Sequence, residues 1–372
     1  MQSNSTNIQT DEQAMALALT WAARGLFTTT PNPRVGCVIV KDGVLLGAGY
    51  TQPAGQAHAE VQALRDAAER GVDVRGATAY VTLEPCCHFG RTPPCTGALI
   101  AAGIVRVVGA IADPYPLVAG QGYASLRAAG IEVASGVLES AARDMNIGFF
   151  QRMQSARPWV RMKAAASLDG KTALFNGQSQ WITGQAARDD GHHWRARACA
   201  ILTGIGTVLE DDPQMTVRAV ATARQPRRII VDSRLQITPE ARILAGGGAL
   251  VVAASAGDAD KVARLQAGGT EVIVLANAEG KVDLPALMME LGRRQINELH
   301  VEAGFKLNGS LIREACVDEL LLYFAPTLLG EAHGMFQLGA LEGLAQAPRL
   351  AFHSVEQIGA DVRILARFPH SF

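Results

Sequence analysis

The chain lacks several features that mark special classes of protein. Only 5% of its 372 residues are aromatic, and 34 basic against 35 acidic residues leave a net charge of −1. Proteins that bind nucleic acid usually carry a basic excess, so this balance favours small molecules as partners. No apolar run approaches the ~18 residues of a membrane span, and the N-terminus shows no basic and apolar leader, so we expect a cytoplasmic protein.

Cysteines are also few. Six in a chain of this length do not make a disulfide framework. Three of them, Cys37, Cys199 and Cys316, lie among apolar residues, which is typical of core thiols. With 48% hydrophobic residues, the chain has the composition of an ordinary globular protein of two or three domains.

The other cysteines belong to a pattern typical of a zinc site. His58 lies in His-Ala-Glu, Cys86 follows Pro85 after the apolar run TAYVTL, and Cys95 begins a helical stretch. Zn²⁺ held by one imidazole and two thiolates keeps a fourth position for water, whose pKa falls from ~9 on aqueous zinc toward ~7 in a protein site. Glu60 is not needed as a ligand, so it can carry a proton from that water to a departing amine. The set predicts a hydrolytic deaminase.

Two features of this pattern leave alternatives open. The usual signature is Pro-Cys-x-x-Cys, whereas eight residues separate Cys86 and Cys95 here, and Cys87 is a rival ligand. A second His-x-Glu, at His300 and Glu302, has no Pro-Cys after it and lies in an apolar run. We interpret that copy as the end of a buried strand rather than a metal site.

The spacing of His58 and Glu60 also restricts where the two residues can lie in a helix. Residues two apart diverge by about 200° around a helix. Both side chains can face one metal only if they lie in the cap or first turn of a helix that begins near His58.

Strands and helices alternate along the first 150 residues. A helix is predicted over 11–24, a hairpin around Asp42 and Gly43, and a helical segment over 138–153. Further strands are predicted in TAYVTL, IVRVVGAI and IEVASGV. We expect a flexible N-terminus over 1–10, a first domain over 11–154, and a second domain over 158–372.

The alternation restarts in the second half without an internal repeat. Its predicted strands are PWVRMKAAAS, AILTG, RRIIVDS, ALVVAAS, TEVIVLA, ELHVEAG and ELLLYFAP, with helical patterns between them. This order predicts an α/β domain with a largely parallel sheet. Residues 204–207 and 304–310 each lie between a strand and a helix, so either could present N–H groups to phosphate, although a plain glycine turn is the alternative.

Seven segments then carry a resemblance in sequence order: HAE, LEPCCHFGRTPPC, ASLDGK, SQWIT, TVLEDDPQMTVR, IIVDS and VEAG. Over residues 11–367 the chain resembles the bifunctional deaminase-reductases of riboflavin biosynthesis. The resemblance implies a cytidine-deaminase-like three-layer α/β/α domain that deaminates 2,5-diamino-6-ribosylamino-4(3H)-pyrimidinone 5′-phosphate. It also implies a dihydrofolate-reductase-like α/β domain that reduces the ribosyl group with NADPH, giving 5-amino-6-(5-phosphoribitylamino)uracil.

The resemblance further implies roles for individual residues. His58, Cys86 and Cys95 would hold zinc, and Glu60 would move protons. The residues implied to line NADPH are Ala165, Trp181, Thr207, Asp211, Ser233, Gly304, Phe305, Lys306, Leu307, Asn308, Gly309 and Ser310. Those implied to hold the reductase substrate are Ser179, Arg195, Met215, Arg218 and Glu302. Met215 could contribute only backbone or apolar contacts. Relatives often have serine where this chain has Cys87.

Other polar residues are candidates on their own chemistry. The amide of Asn32, in PNPRVG, suits a pyrimidine or ribose edge, but the residue could be a simple turn. His88 and Arg91 lie between the zinc cysteines and could reach the substrate or stay solvated. Arg195 and Arg218 are natural phosphate partners because guanidinium is always charged and binds bidentately, although each could form a surface ion pair instead.

Two other classes of function remain open. A deaminase acting on nucleic acids or nucleosides would use the same zinc ligands, but the composition shows no basic surface. A zinc-stabilised binding module whose C-terminal half senses a nucleotide is the other class. Glu60 argues against it, since a structural zinc is usually closed by a fourth protein ligand. We expect a phosphorylated pyrimidine as substrate, zinc and NADPH as cofactors, no nucleic acid or membrane partner, and a homo-oligomer.

Overall fold

The computed structural model describes residues 7–89, 93–115 and 118–369, and the chain divides into two compact units, Met1–Ser155 and Ala156–Phe372. Each unit is built around its own β-sheet. Within the described residues, no helix combines the length and apolar character needed to cross a bilayer.

The first unit has a five-stranded sheet. Its helices are α1 (Asp11–Ala23), α2 (Ala59–Glu69), α3 (Cys95–Ala101), α4 (Gln121–Ala128), α5 (Glu139–Met145) and α6 (Ile147–Ser155), and its strands are β1 (Gly36–Lys41), β2 (Val44–Tyr50), β3 (Thr78–Val81), β4 (Arg106–Gly109) and β5 (Glu132–Ser135). The strand order is β2-β1-β3-β4-β5, with β1 antiparallel to both neighbours and the other pairs parallel. The predicted hairpin is confirmed: Asp42 and Gly43 both have positive φ, at 50° and 76°, as a tight turn between twisted strands requires.

Helices cover both faces of this sheet. A Cβ added to Gly36 would lie 1.9 Å from the carbonyl oxygen of Ala18 in α1. Cys37 points to the opposite face. There it pairs with Gly49, whose added Cβ would lie 2.5 Å from the backbone nitrogen of Ala63 in α2. Helices α1 and α2 therefore lie on opposite faces, which gives the expected three layers.

Two details of this unit differ from the sequence expectations. Residues 1–6 lie outside the described residues, but Ile8 is 8% exposed and its N–H donates to the Gly43 carbonyl at 3.0 Å. Thr10 and Gln13 form a capping box at the start of α1, so the segment from Ile8 to Thr10 is anchored rather than loose. The helical segment predicted over 138–153 is two helices, because the side chain of Asn146 turns inward to exchange hydrogen bonds with the Arg34 backbone.

The second unit has a nine-stranded sheet and a two-stranded ribbon. Its helices are α7 (Gln185–Arg197), α8 (Ile205–Asp211), α9 (Ala259–Ala267), α10 (Leu284–Arg293) and α11 (Phe305–Arg313), and its strands are β6 (Trp159–Ser167), β7 (Lys171–Ala173), β8 (Ala200–Gly204), β9 (Arg227–Val231), β10 (Leu250–Ala253), β11 (Glu271–Val274), β12 (Glu298–Val301), β13 (Glu319–Ala325), β14 (His333–Gly334), β15 (Ala351–Ile358) and β16 (Asp361–Arg367). The sheet order is β11-β10-β9-β8-β12-β6-β13-β16-β15, and β14 pairs with β7.

The parallel sheet predicted for this unit is confirmed. The seven predicted strands lie next to one another and run parallel, from β11 to β13. Strand β16 is antiparallel to β13 and to the edge strand β15. These last two strands were not predicted, since AFHSVEQI is exposed along most of its length and carries no clear apolar pattern. The carboxyl ends of β8, β12 and β6 meet at one edge of the sheet, where a parallel sheet usually holds its ligands.

We expect Gly49→Ala to lower the free energy of unfolding by roughly 1–3 kcal/mol, because the added methyl group would overlap the backbone of α2. Urea denaturation followed by circular dichroism measures the change. Gly191→Ala is the control: nothing lies within 4 Å of its added Cβ, so this helix position should be neutral or stabilised. Equal unfolding midpoints for Gly49→Ala and the parent chain would contradict the close packing.

Candidate active sites

Helix α2 begins where the zinc pattern requires it. His58 is the N-cap, with extended backbone angles of −77° and 170°, and Glu60 is the second helical residue. The His58 side chain makes no capping hydrogen bond, so its imidazole is left to face the cysteines. Because both residues lie in the cap and first turn, their side chains can approach one point despite their spacing.

Three predicted ligands meet at that point. His58 Nδ1 lies 3.6 Å from Cys86 Sγ and 3.4 Å from Cys95 Sγ, and all three donor atoms lie within 4.8 Å of one another. Cys86 comes from the segment after β3, and Cys95 is the first residue of α3. One imidazole nitrogen and two sulfurs at such distances fit a tetrahedral zinc ion with one position open.

The N-terminus of α3 stabilises Cys86 rather than Cys95. The backbone N–H of Cys95 donates to Cys86 Sγ at 3.4 Å, and the Thr96 N–H donates to the Cys86 carbonyl at 3.2 Å. The Cys95 thiol, followed by His58, holds the pKa of the Cys86 thiol well below its usual value. A lowered pKa favours the thiolate, which is the form that binds a metal.

Glu60 lies beside these ligands without joining them. Its side chain is 3% exposed, and burial, followed by the nearby Cys86 sulfur, raises the pKa of its carboxyl group to about 7. A carboxyl group with a pKa near neutrality can both accept and release a proton, as general acid-base catalysis requires.

The rival residues are placed elsewhere. Among the described residues, the group of side chains able to hold a metal is His58, Cys86 and Cys95, without Cys87. Burial raises the pKa of the Cys87 thiol, which makes it a poorer ligand than Cys86. The His300 and Glu302 pair is not part of such a group either, and His300 is buried in β12 as expected.

The other candidates in this unit are only partly described. His88 lies two residues after Cys86, with its ring centroid 6.1 Å from that of Tyr115. Arg91 lies outside the described residues. Asn32 lies in a turn, where its N–H donates to the Thr29 carbonyl, and the neighbouring Arg34 is held by Asn146.

In the second unit, the two glycine segments lie side by side. Gly204 and Gly304 are the N-caps of α8 and α11, which follow the neighbouring strands β8 and β12. A Cβ added to Gly204 would lie 3.0 Å from Leu307, and one added to Gly304 would lie 3.8 Å from Thr207 Oγ1. The two helix starts therefore present their N–H groups close together at the edge of the sheet.

The segment predicted as a loop over 304–310 is mostly helix, because α11 already begins at Phe305. The Asn308 side chain donates to the carbonyls of Ala303 and Met335 and is buried. Gly309 lies against the backbone of Gln337, where an added Cβ would be 2.1 Å from its carbonyl oxygen. These two residues therefore face the protein and shape the helix, whereas Gly304, Phe305 and Lys306 stand at its start.

The remaining candidates for the cofactor site come from several elements of this unit. Ala165 lies in β6, partly buried, and Asp211 is the exposed last residue of α8. Trp181 is exposed, with the Arg188 guanidinium 4.6 Å from its ring. Ser233 follows β9, and its hydroxyl accepts a hydrogen bond from the Val282 N–H.

Three of the predicted substrate residues, Arg195, Arg218 and Glu302, are connected by hydrogen bonds. Arg195 binds both carboxylate oxygens of Glu302, at 2.5 and 2.8 Å, and donates to the Thr216 carbonyl at 3.1 Å. Arg218 donates to Thr216 Oγ1 at 3.1 Å and is exposed. Burial disfavours the charge on Glu302, but Arg195 outweighs it and holds the pKa of that carboxyl well below its usual value. Arg195 is thus already paired, and Arg218 is the better placed cation for a phosphate.

Met215 and Ser179 are the remaining predicted substrate residues. The side chain of Met215 is buried in an apolar cluster with Ile201 and Leu235, so only its backbone can face a ligand. Ser179 lies in the segment between β7 and α7. Sequence reasoning missed Lys163, whose charge interacts with Glu302 and Arg195 and whose pKa is lowered by burial. A lysine inside the apolar strand VRMKAAAS was the signal that could have found it.

Known proteins resemble this chain over nearly its full length. A family model described as the RibD C-terminal domain matches residues 158–364, and one described as the cytidine and deoxycytidylate deaminase zinc-binding region matches residues 8–111. The riboflavin biosynthesis protein RibD of Escherichia coli is 48% identical over 95% of this chain and 98% of its own.

Solved structures agree in fold. RibD of Acinetobacter baumannii matches with a TM-score of 0.86 at 42% identity, covering 96% of this chain and 98% of its own. A diaminohydroxyphosphoribosylaminopyrimidine deaminase/5-amino-6-(5-phosphoribosylamino)uracil reductase of Thermotoga maritima gives the same TM-score and coverage at 33% identity.

We expect Cys86→Ser and Cys95→Ser each to lose the metal, because each removes one of two thiolates from the three-donor cluster. Cys87→Ser should keep it. Metal analysis of the purified variants by mass spectrometry measures zinc per chain. Full occupancy in Cys86→Ser together with loss in Cys87→Ser would exchange the roles of these two cysteines.

Proposed function

The chain belongs to the RibD family of riboflavin biosynthesis enzymes, and we propose that it performs both reactions named for its Thermotoga relative. The first is hydrolytic removal of the 2-amino group from 2,5-diamino-6-ribosylamino-4(3H)-pyrimidinone 5′-phosphate, which releases ammonia. The second is reduction of the ribosyl side chain to ribityl by NADPH. The observation that carries the first step is the buried Glu60 carboxyl beside the cluster of His58, Cys86 and Cys95.

In the deaminase step, Glu60 is the proton carrier. His58 Nδ1 and the sulfurs of Cys86 and Cys95 would hold zinc, whose Lewis acidity would make a water molecule nucleophilic at neutral pH. Glu60 accepts the proton that this water loses and delivers it to the amine nitrogen as the carbon–nitrogen bond breaks. Burial raises the pKa of Glu60 toward neutrality, which suits a group that must both accept and release a proton.

In the reductase step, the helix starts at Gly204 and Gly304 receive the cofactor phosphates. Their N–H groups lie close together, and Lys306 adds a positive charge beside them. Ala165, Trp181, Thr207, Asp211 and Ser233 surround the rest of NADPH in this proposal. Hydride transfer needs no dedicated nucleophile, only a nicotinamide ring held against the sugar carbon in a pocket that excludes water.

In the second step, the substrate lies beside Arg195 and Arg218, which both donate hydrogen bonds to Thr216, and beside Glu302. Arg218 holds the phosphate, because its exposed guanidinium contacts only a hydroxyl among the described residues. Glu302, fixed by Arg195, accepts hydrogen bonds from sugar hydroxyls. Ser179 and the backbone of Met215 are the remaining residues of the proposed substrate site.

The proposal also covers the partners, the location and the oligomeric state of the protein. The near-zero net charge supports an enzyme that acts on a small molecule and binds no nucleic acid. We place its activity in the cytoplasm. The edge strand β15 exposes Phe352 and Val355, and an exposed apolar edge supports a homo-oligomer.

Glu60→Gln should retain zinc and lose deamination by ~10²- to 10⁴-fold, the contribution expected of a general acid-base residue. Ammonia release from the diaminopyrimidinone phosphate measures the first step, and NADPH oxidation with the deaminated compound measures the second. The second rate should be unchanged. Parental ammonia release by Glu60→Gln would show that another group carries the proton.

Glu69→Gln is the matched control, since Glu69 is exposed at the far end of the same helix. It should leave both rates unchanged. Absence of ammonia release in the parent chain, with zinc bound and substrate saturating, would refute the proposed first activity itself.

Arg218→Ala should raise the KM for the phosphorylated sugar at least tenfold while the KM for NADPH changes little, because the lost contact is one that the cofactor does not share. Steady-state kinetics with each substrate varied in turn measures the two constants. Arg264→Ala, at an exposed position of α9, is the control. Equal increases in both KM values would place Arg218 outside the sugar phosphate site.

A further inference from the structure

A second buried glutamate lies next to the zinc ligands and has no part in the mechanism above. Glu84 directly precedes Pro85 and Cys86, and its side chain is 3% exposed. Oε1 accepts hydrogen bonds from the N–H groups of Gly122 and Tyr123 at 2.9 and 3.2 Å. Oε2 accepts from those of Asp113 and Gly120 at 3.2 and 2.9 Å.

These four bonds explain how a carboxylate can be buried there. Three of the donors are the N-cap and first-turn amides of α4, where the helix dipole favours a negative charge. Hydrogen bonds to a charged acceptor are roughly twice as strong as neutral ones. Glu84 thus ties the segment 113–123, at its described residues, to the segment that carries Cys86.

The two segments are also packed without space between them. A Cβ added to Gly122 would lie 2.0 Å from the Pro85 carbonyl oxygen and 3.1 Å from Glu84 Oε1. The Glu84 N–H donates to the Ile111 carbonyl at 3.0 Å, so the connection begins already at the end of β4. The contacts of Glu84 and Pro85 therefore reach from Ile111, just after β4, to Gly122 in α4.

Two polar side chains, Asp113 and Tyr115, lie at the start of this segment, and Tyr115 approaches His88, two residues after Cys86. The Tyr115 ring lies 6.1 Å from the ring of His88, and the Tyr115 N–H donates to Asp113 Oδ1 at 2.8 Å. Burial, followed by the charges of Glu84 and Cys86, raises the pKa of Asp113 to about 6. Through Tyr115 and His88, this segment packs near the residues that follow Cys86.

We propose that Glu84 is a positioning residue of the deaminase site, which holds residues 113–115 beside the metal ligands as a wall of the pyrimidine pocket. This inference rests on the proposed deaminase function. Glu84 takes no part in bond making: its four bonds all go to backbone amides of the neighbouring segment. Its contribution is to the affinity for the pyrimidine, since the wall contacts bound substrate and transition state alike.

Glu84→Gln tests the proposal. An amide keeps one acceptor oxygen but turns an NH₂ group toward two N–H donors, so one pair of bonds is lost and replaced by repulsion. We expect the KM for deamination to rise about tenfold or more, with kcat within about threefold of the parent, as loss of uniform binding predicts. Zinc content and the rate of NADPH oxidation with the deaminated compound should stay unchanged.

Gly122→Ala tests the same contact without altering a charge. Its methyl group would separate the two segments at Pro85 and should give the same rise in KM. Gly97→Ala is its control, because the added Cβ in α3 would lie 4.0 Å from Pro94 and meet nothing closer. Asp11→Asn is the control for Glu84→Gln. It weakens another carboxylate cluster of this unit, in which Asp11 binds Arg106 and Tyr80, and it should leave KM unchanged.

The outcomes separate the alternatives. A parental KM in both Glu84→Gln and Gly122→Ala overturns the proposal. Loss of zinc in Glu84→Gln also overturns it, because Glu84 would then serve the metal ligands and not the wall. If Glu84→Gln does not accumulate, Gly122→Ala decides alone. Ammonia release by the parent chain is measured beside them, so failure of the proposed deaminase function is seen separately.

Discussion

The close approach of helix α2 to the first sheet is the constraint on which the zinc site depends. Gly47 and Gly49 in β2 have no side chains at the positions where Cβ atoms would lie 2.2 and 2.5 Å from the backbone of Ala63. The helix can therefore rest directly on the strand, with His58 and Glu60 at its start. A larger residue at either glycine would lift this end of the helix away from Cys86 and Cys95, whose positions are set separately by β3 and α3.

In the second unit, charged side chains lie on a buried face of the sheet. Arg161 lies in β6, pairs with Glu298 at 3.0 Å and with Glu319, and is covered by the ring of Trp194 at 4.4 Å. Breaking a buried ion pair leaves an uncompensated charge and is costly, so such pairs must be complete. Lys163 lies two residues after Arg161 in β6, on the same face of the sheet. Its charge interacts with the ion pair of Arg195 and Glu302. The polar reductase site thus continues a charged row that begins inside the sheet.

Sequence patterns predicted much of this because they act locally. Apolar runs between turn residues gave the seven parallel strands, and the spacing of His58 and Glu60 gave the start of α2. The features that the sequence did not predict depend on contacts between residues that are distant along the chain. Asn146 ends a helix because it meets the backbone of Arg34, 112 residues away, and Arg195 is neutralised by Glu302, 107 residues away. The four amides that Glu84 binds lie 29 to 39 residues later. No local pattern contains such pairings.

The two proposed sites use the same residue type for opposite purposes, and the surroundings decide which. Glu60 is buried near a thiolate, so its charged form is disfavoured and its pKa rises to about 7. Glu302 is also buried, but Arg195 supplies a bidentate partner, so its pKa falls well below the usual value. The first carboxyl group can exchange a proton at neutral pH, whereas the second stays a fixed anion that can only accept hydrogen bonds. Removing Arg195, the largest of the groups that lower the pKa of Glu302, would raise that pKa, so Arg195 helps to keep the carboxyl group of the proposed sugar site ionised.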